Sequence, residues 1–120
     1  MTTTAFMMTY KFGDVVLVPF PFSNLNQEKK RPAVVVSSDA YQKHRQDCVL
    51  LAITSQMRGT LGFAEAYVNA WQEGGLLKPS VFKPLIFSLE QVRILRKLGT
   101  LTHEDQQVLH RVLQQIIEQK

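Results

Sequence analysis

Three apolar runs rich in β-branched side chains dominate the first half of the sequence. They are Val15–Phe20, Ala33–Ser37 and Cys48–Thr54. β-Branched and aromatic residues favour strands, and an apolar run without polar alternation is typical of a strand that is covered on both faces. Polar segments separate the runs and allow the chain to reverse. The pattern therefore predicts a small, mainly β barrel or sandwich.

Weaker strand patterns follow at Ala64–Val68 and around Ser80–Phe82, and the end of the chain is predicted to be helical. Ser88–Gln91 has a capping-box pattern that predicts a short helix ending at Gly99. Thr102 is predicted to cap a final helix. Six apolar residues form one stripe on that helix: Val108, Leu109, Val112, Leu113, Ile116 and Ile117. We expect the stripe to pack on the chain's own barrel, with a share of a dimer interface as the alternative.

The length of 120 residues fits one domain, and 45% hydrophobic with 20% charged residues is typical of a globular core. Residues 1–9 are polar and predict a flexible N-terminal extension, whereas residues 10–120 predict a single domain. No apolar run approaches the ~18 residues that cross a bilayer, so we expect no membrane association. A single cysteine, Cys48, and the lack of a signal-like start predict a cytoplasmic protein.

The sequence gives no support for a metal or a nucleotide cofactor. His44, His103, His110 and Cys48 are scattered, without the close spacing of a zinc or iron site. Neither a P-loop nor a GxGxxG pattern is present. We therefore predict no cofactor. The formal net charge of +4 makes an anionic partner plausible without identifying it.

The polar loop Ser23–Arg31 is the most informative segment for function, since long loops are often functional. It ends in three cations, Lys29, Lys30 and Arg31, directly before Pro32 and a strand. Pro32 favours an extended conformation at Arg31, and an arginine on a rigid element presents its planar fork to a phosphate in a fixed direction. A solvated charge run is the alternative interpretation. Three polar side chains that end the third strand could form a hydrogen-bonding floor beside such an arginine: Thr54, Ser55 and Gln56.

Five segments in this order resemble the MazF/PemK toxins, the endoribonuclease toxins of type II toxin–antitoxin modules. They are Gly13–Phe20, Lys30–Ala40, Ala52–Ser55, Leu77–Val81 and Lys97–Leu101. The resemblance covers about residues 11 to 117. It implies a small SH3-like antiparallel barrel with a C-terminal helix, so that residues 10–120 would be one toxin domain that forms a homodimer.

The resemblance also implies an activity and its residues. Members of the family cut single-stranded RNA without a metal ion, leaving a 2′,3′-cyclic phosphate and a 5′-hydroxyl, and a cognate antitoxin with an acidic disordered segment inhibits them. The catalytic arginine and threonine of the family correspond to Arg31 and Thr54. Around them, we expect RNA contacts from Gln27, Lys29, Lys30, Ser55, Gln56 and Lys78.

Two other functions remain open, one because of a departure from the family pattern and one because of the fold. Many members carry an arginine where this chain has Phe87. Its loss makes a catalytically silent RNA-binding barrel one alternative. The other is a non-enzymatic toxin of the same fold that binds a protein target such as DNA gyrase, because a fold does not determine a function.

Overall fold

Six antiparallel strands form one sheet that curls into a half-barrel and carries a C-terminal helix. A computed structural model of the chain describes residues 10–20, 29–57 and 59–119. The predicted extension at residues 1–9 and the predicted RNA contact Gln27 lie outside the described residues. The strands are β1 Asp14–Phe20, β2 Lys29–Val35, β3 Asp47–Thr54, β4 Ala66–Val68, β5 Ser80–Glu90 and β6 Arg96–Thr100; the helices are α1 Asp39–His44 and α2 His103–Ile116.

The strand order is β4-β5-β3-β2-β1-β6, which places the three apolar runs of the sequence side by side in the middle of the sheet. The residues of these three runs are buried or half-buried on both faces, as the lack of polar alternation predicts, whereas Lys29 and Lys30 at the start of β2 are exposed. The predicted mainly β antiparallel fold with a C-terminal helix is therefore confirmed. Among the described residues, no helix is long and apolar enough to span a membrane.

One face of the sheet, which we call the helix face, is covered by α2. Its strand residues are Val15, Val34, Leu51, Ile53 and Phe82, all at most 2% exposed. Two residues of the predicted stripe, Leu109 and Val112, are buried against them, and Val108, Leu113 and Ile116 pack at the border. The sixth, Ile117, lies beyond the helix and is 53% exposed. Burial of one such side chain contributes about 1.5–3 kcal/mol, so the stripe anchors α2 on its own sheet.

The opposite face, which we call the open face, has an apolar core of its own. Val16, Val18, Ala33, Val35 and Leu50 form this core with Cys48, Tyr10 and Ile94, and Phe20, Phe87 and Leu89 pack at its margin. The Cys48 side chain is completely buried, and the loss of hydration raises its pKa to about 11. This agrees with a structural thiol rather than a nucleophile.

Two buried carboxylates secure the ends of the elements. Asp105 in the first turn of α2 accepts hydrogen bonds from the backbone N–H groups of Asn69 (3.0 Å) and Ala70 (2.8 Å). Its own N–H donates to the Thr102 hydroxyl at 3.2 Å, which confirms the predicted helix cap. Asp14 accepts a hydrogen bond from the Thr100 hydroxyl at 3.0 Å and thereby joins β1 to β6. Such buried anions are stable only when they are partnered in this way.

The predicted short helix from Ser88 to Gly99 is wrong. Ser88–Glu90 continue β5 and pair with β3, Gln91–Arg93 form one 3₁₀ turn, and β6 begins at Arg96. The ladder partners supplied by β3 and β1 outweigh the local capping signal, because they satisfy the backbone along the whole segment. Gly99 is in β6 rather than at a helix end; a Cβ there would lie 2.5 Å from the Gly74 carbonyl oxygen.

A short helix that the sequence did not suggest connects β2 to β3. α1 begins after Ser38, whose hydroxyl accepts a hydrogen bond from the backbone N–H of Tyr41 at 3.1 Å. Its buried Gln42 accepts a hydrogen bond from the Ser37 hydroxyl and donates one to the Tyr10 carbonyl oxygen. Side-chain hydrogen bonds thus hold the polar segment on the open face, and no apolar periodicity in the sequence predicts them.

Candidate functional site

Arg31 and Thr54 lie at the same end of the open face. The pairing of β2 with β3 ends at Ala33 and Ala52, and Arg31 and Thr54 each lie two residues beyond that last pair. Thr54 in turn pairs with Val81 of β5. Residues that are directly opposite in an antiparallel pair point to the same side of the sheet, and so do residues two apart along one strand. Two residues far apart in the sequence therefore share one face of the sheet.

A cleft of about 730 Å³ opens at this end of the open face, within the size range of ligand sites. Arg31 and Thr54, both partly buried, contribute to one wall together with Phe20. The opposite wall comes from the start of β5 and from the segment before β4, and its lining residues are Gly59, Thr60, Leu61, Gly62, Glu65, Val81, Lys83, Pro84 and Leu85. Both residues proposed for catalysis thus face one cavity.

β5 is bulged where it borders the cleft. Leu51 of β3 pairs with Ile86 and Ile53 pairs with Phe82, so Lys83, Pro84 and Leu85 all lie opposite Ala52 alone. Proline has no N–H to donate to a ladder and is accommodated at such a bulge. Bulges change the direction of side chains next to functional sites. Here the bulge brings Lys83 into the cleft wall.

An ion pair crosses the far wall of the cleft. The Lys83 Nζ atom is 2.6 Å from Glu65 Oε2, and the Gly62 backbone N–H donates to Glu65 Oε1 at 2.8 Å. The hydrogen bond from Lys83, with that from Gly62, lowers the pKa of the Glu65 carboxyl, so it is ionised at neutral pH. Ala64, the residue before Glu65, has a φ of 64°, a left-handed conformation that turns the chain there.

The other residues expected to contact RNA are distributed unevenly. Gln56 lines the cleft, and its backbone N–H donates a hydrogen bond to the Thr54 hydroxyl at 3.1 Å. Ser55 is exposed and is not among the cleft-lining residues. Lys29 and Lys30 are exposed at the start of β2, opposite Phe20 and Pro19 of β1, and are likewise outside the lining.

Lys78 is also exposed and outside the cleft lining, two residues before β5. Its carbonyl oxygen accepts a hydrogen bond from the Ser80 hydroxyl at 2.8 Å. The structure therefore brings Arg31, Thr54 and Gln56 into one cavity, whereas Lys29, Lys30, Ser55 and Lys78 are exposed and are not among its lining residues.

Sequence reasoning missed the two charged residues of the far wall, Lys83 and Glu65. The dipeptide Lys83-Pro84 inside a strand pattern was a signal, because a proline there indicates an edge or a bulge. Glu65 gave none, since its partner is eighteen residues away in the sequence and meets it only through the β4–β5 pairing.

Phe87, where the family resemblance leads one to expect an arginine, packs at the margin of the open-face core. Its ring packs edge to face with that of Phe20, with centroids 5.5 Å apart and an interplanar angle of 67°. Phe20 itself lines the cleft. This corner of the site is thus apolar, and its charged groups lie elsewhere on the walls.

Comparison with known proteins gives a consistent assignment. Residues 11–117 match the family model described as PemK-like, MazF-like toxin of type II toxin-antitoxin system. No curated protein matches the sequence significantly.

Within the described part of the chain, no group of three or more His, Cys, Asp or Glu side chains is placed to share a metal ion.

Solved structures with similar folds share 18–22% sequence identity with this chain. An endoribonuclease in complex with its cognate antitoxin from mycobacterial species is 18% identical with a TM-score of 0.72, and the match covers 88% of this chain and 92% of that one. MazF from Deinococcus radiodurans is 22% identical with a TM-score of 0.68 and coverages of 88% and 94%. Mycobacterium tuberculosis toxin MazF-mt6 is 20% identical with a TM-score of 0.65 and coverages of 83% and 91%.

The family match spans nearly all the described residues, and the strand order and the terminal helix agree with the fold of these structures. The chain therefore belongs to the family of PemK-like and MazF-like toxins of type II toxin–antitoxin systems.

Proposed function

We propose that this toxin is an endoribonuclease that cleaves single-stranded RNA at selected sequences without a metal ion. In this reaction the 2′-oxygen of a ribose forms a bond to the adjacent phosphorus, and the bond from phosphorus to the 5′-oxygen of the next nucleotide breaks. The 2′-hydroxyl loses a proton and the departing oxygen gains one, which leaves a 2′,3′-cyclic phosphate and a 5′-hydroxyl. The placement of Arg31 and Thr54 in the lining of one cleft carries the proposal.

Arg31 suits the stabilisation of the charge that develops on the phosphate oxygens. Its guanidinium offers several N–H donors in one plane, and its backbone is held in β2 by pairing with Val18 of β1. Catalysis by such a group depends on its being placed before the reaction, so that no reorganisation is needed in the transition state.

Thr54 suits the orientation of the phosphate. Its Oγ1 atom already accepts the N–H of Gln56, which leaves the hydroxyl proton for donation to a substrate oxygen. With the bond to Gln56 in place, the donor direction is restricted, and a restricted donor positions the phosphate for attack. Both groups lie on strands, which position side chains better than loops do.

We also propose a homodimer and a cognate antitoxin as partners, in the cytoplasm. One solved relative is an endoribonuclease bound to its antitoxin, and MazE–MazF complexes of D. radiodurans share the fold. Exposed large apolar side chains support protein partners: Leu77 (92%), Val92 (89%) and Phe63 (77%). A reducing compartment suits the free, buried Cys48.

The test is incubation of the purified protein with a long RNA in excess EDTA. Discrete fragments with 5′-hydroxyl ends are expected. Intact RNA together with inhibited DNA supercoiling by gyrase would instead support the non-enzymatic toxin. Binding of RNA without cleavage would identify a silent RNA-binding barrel.

Two further measurements test the partners. Sedimentation of the free protein should give a dimer, and a monomer at micromolar concentration would refute it. Titration of an RNA complex with the antitoxin should release the RNA, because an acidic segment competes for the same cationic surface. A stable ternary complex with RNA still in the cleavage site would refute this competition.

A further inference from the structure

The cleft contains a second cation that the proposed catalytic pair does not use. Among the described residues that line the cleft, the cationic side chains are Arg31 on β2 and Lys83 on the β5 bulge. The exposed lysines expected from the sequence to contact RNA are not part of this lining. Lys83 therefore differs from them, because it is inside the cavity rather than on the surrounding surface.

Lys83 is held in one direction. Its Nζ atom is 2.6 Å from Glu65 Oε2, and Glu65 is fixed in turn by the Gly62 N–H. An ammonium has three N–H donors, and Glu65 Oε2 accepts only one of them. The Lys83 side chain is 41% exposed, so the remaining donors are accessible from the cleft, whereas Glu65 is only 18% exposed.

The ion pair keeps the ammonium away from Arg31. Glu65 directly precedes β4, which lies on the opposite side of β5 from β3 and β2. β2 and β5 are two strand spacings apart, roughly 10 Å. Lys83 is thus drawn toward the β4 side, while Arg31 and Thr54 meet on the β2–β3 side. One phosphate bound between Arg31 and Thr54 would leave the ammonium for another.

We propose that Lys83 binds a phosphate of the RNA that flanks the scissile one, and that Glu65 positions Lys83 for this contact. The inference rests on the proposed function, since it assigns the path of the same RNA. In this proposal the RNA strand crosses the open face from β2 over β3 to β5. Lys83 contacts substrate in the ground state, so it strengthens binding rather than accelerating the chemical step.

The test compares Lys83→Met with Lys43→Met, which removes an equal charge from the exposed end of α1, away from the cleft. Binding is measured with an oligonucleotide that carries a 2′-deoxy nucleotide at the mapped cleavage site, and cleavage with its all-RNA counterpart. For Lys83→Met we expect the Kd to rise about tenfold, as for loss of one charge-assisted hydrogen bond. Its salt slope should fall by about 0.7 log units, and kcat should change less than about twofold. Lys43→Met should leave all three values near those of the wild type.

Two more variants separate contact from positioning. Lys83→Arg keeps the charge and should restore the salt slope. Glu65→Gln keeps the ammonium but removes the anion that orients it, so the Kd should rise while the salt slope stays that of the wild type. A tighter Kd in Glu65→Gln would refute the positioning role. Circular dichroism and thermal unfolding establish that each variant is folded.

Several results would overturn the role of Lys83 and leave the proposed function intact. One is an active Lys83→Met protein with an unchanged Kd and salt slope, as expected for a purely structural ion pair. Another is a loss confined to kcat, which would place Lys83 at the scissile phosphate. A wild-type protein that cleaves no RNA would overturn both proposals at once.

Discussion

The same three central strands present different kinds of residues on the two faces of the sheet. On the helix face, apolar residues continue to the end of the strands, and Ile53 is 2% exposed under the cover of α2. On the open face, the neighbouring residue Thr54 is partly exposed and faces the cleft with Arg31. One step along β3 thus passes from the core to the candidate site. The difference shows that the site lies where the apolar cover of the sheet ends, on strands that the other face holds rigid.

This contrast predicts that substitutions in the cleft and on the helix face have different effects. In the cleft, activity should fall while stability is kept. On the helix face, stability should fall while each folded molecule keeps its activity.

Arg31→Ala should have the largest effect on activity. Loss of a preorganised donor to the transition state costs about 10²–10³ in rate. Stability should change by less than about 1 kcal/mol, because Arg31 is only half-buried and belongs to neither apolar core. RNA cleavage and urea unfolding measure the two quantities, with Arg111→Ala on the exposed side of α2 as the charge-matched control. Near-normal cleavage by a folded Arg31→Ala protein would remove Arg31 from the mechanism.

Leu109→Ala tests the helix face. The side chain is completely buried between α2 and the sheet, and such a truncation costs about 2–5 kcal/mol of unfolding free energy. Cleavage per folded molecule should change little, because Leu109 lies on the side of the sheet away from the cleft. A stable but inactive Leu109→Ala protein would show that the two faces are coupled and would contradict the expectation that helix-face substitutions affect stability alone.

Thr54→Val tests which residues at the end of β3 belong to the site. It keeps the shape of the side chain and removes the hydroxyl. We expect the cleavage rate to fall about tenfold, near the lower limit for the loss of one hydrogen bond to a charged group. Ser55→Ala, one residue further along, should have a much smaller effect, since Ser55 is outside the cleft lining. Equal losses in the two variants would contradict the assignment of Thr54, and not Ser55, to the cleft that Arg31 lines.

Replacement of both Lys29 and Lys30 by alanine tests the surface beyond the cleft. An ammonium is a point charge that contacts phosphates without reading bases. We therefore expect weaker binding of all RNA sequences alike, with a salt slope lower by about 0.7 per lost contact on a single strand. An unchanged slope would show that the run is only a solvated surface.

The smallest expected effect concerns Cys48, which lies in the buried apolar core of the open face. Burial raises the pKa of its thiol to about 11, so the folded protein favours the neutral form. The corresponding stability is present below the ordinary thiol pKa of about 8.5 and is lost as the pH rises through about 11. Alkylation at pH 8 should be slow in the native protein and fast after unfolding. Rapid native alkylation would mean that the open face is accessible well beyond the cleft.

Local sequence patterns were enough to predict the strands and the helix that depend mainly on their own residues. The runs at Val15, Ala33 and Cys48 became the central strands, and Thr102 caps the helix whose stripe packs on the sheet. The same kind of information drew attention to Arg31, through its place before Pro32. Composition, periodicity and chain-neighbour sterics suffice for these features because each acts over a few residues. The role expected of Thr54 came from the family resemblance instead, because Thr54, Ser55 and Gln56 alone indicate only the end of a strand.

Only the tertiary structure decided what depends on distant partners. The segment from Ser88 to Gly99 carries a helical start signal, yet it is a strand, a turn and a strand because β3 and β1 satisfy its backbone. Arg31 and Thr54 share one cleft because β2 and β3 pair and end at the same side of the sheet. The ion pair of Lys83 with Glu65 requires both the bulge of β5 and its pairing with β4. Pairing register and the partners at a bulge arise from the packing of the whole sheet. A local pattern such as Lys83-Pro84 can therefore signal an edge or a bulge without specifying what it meets.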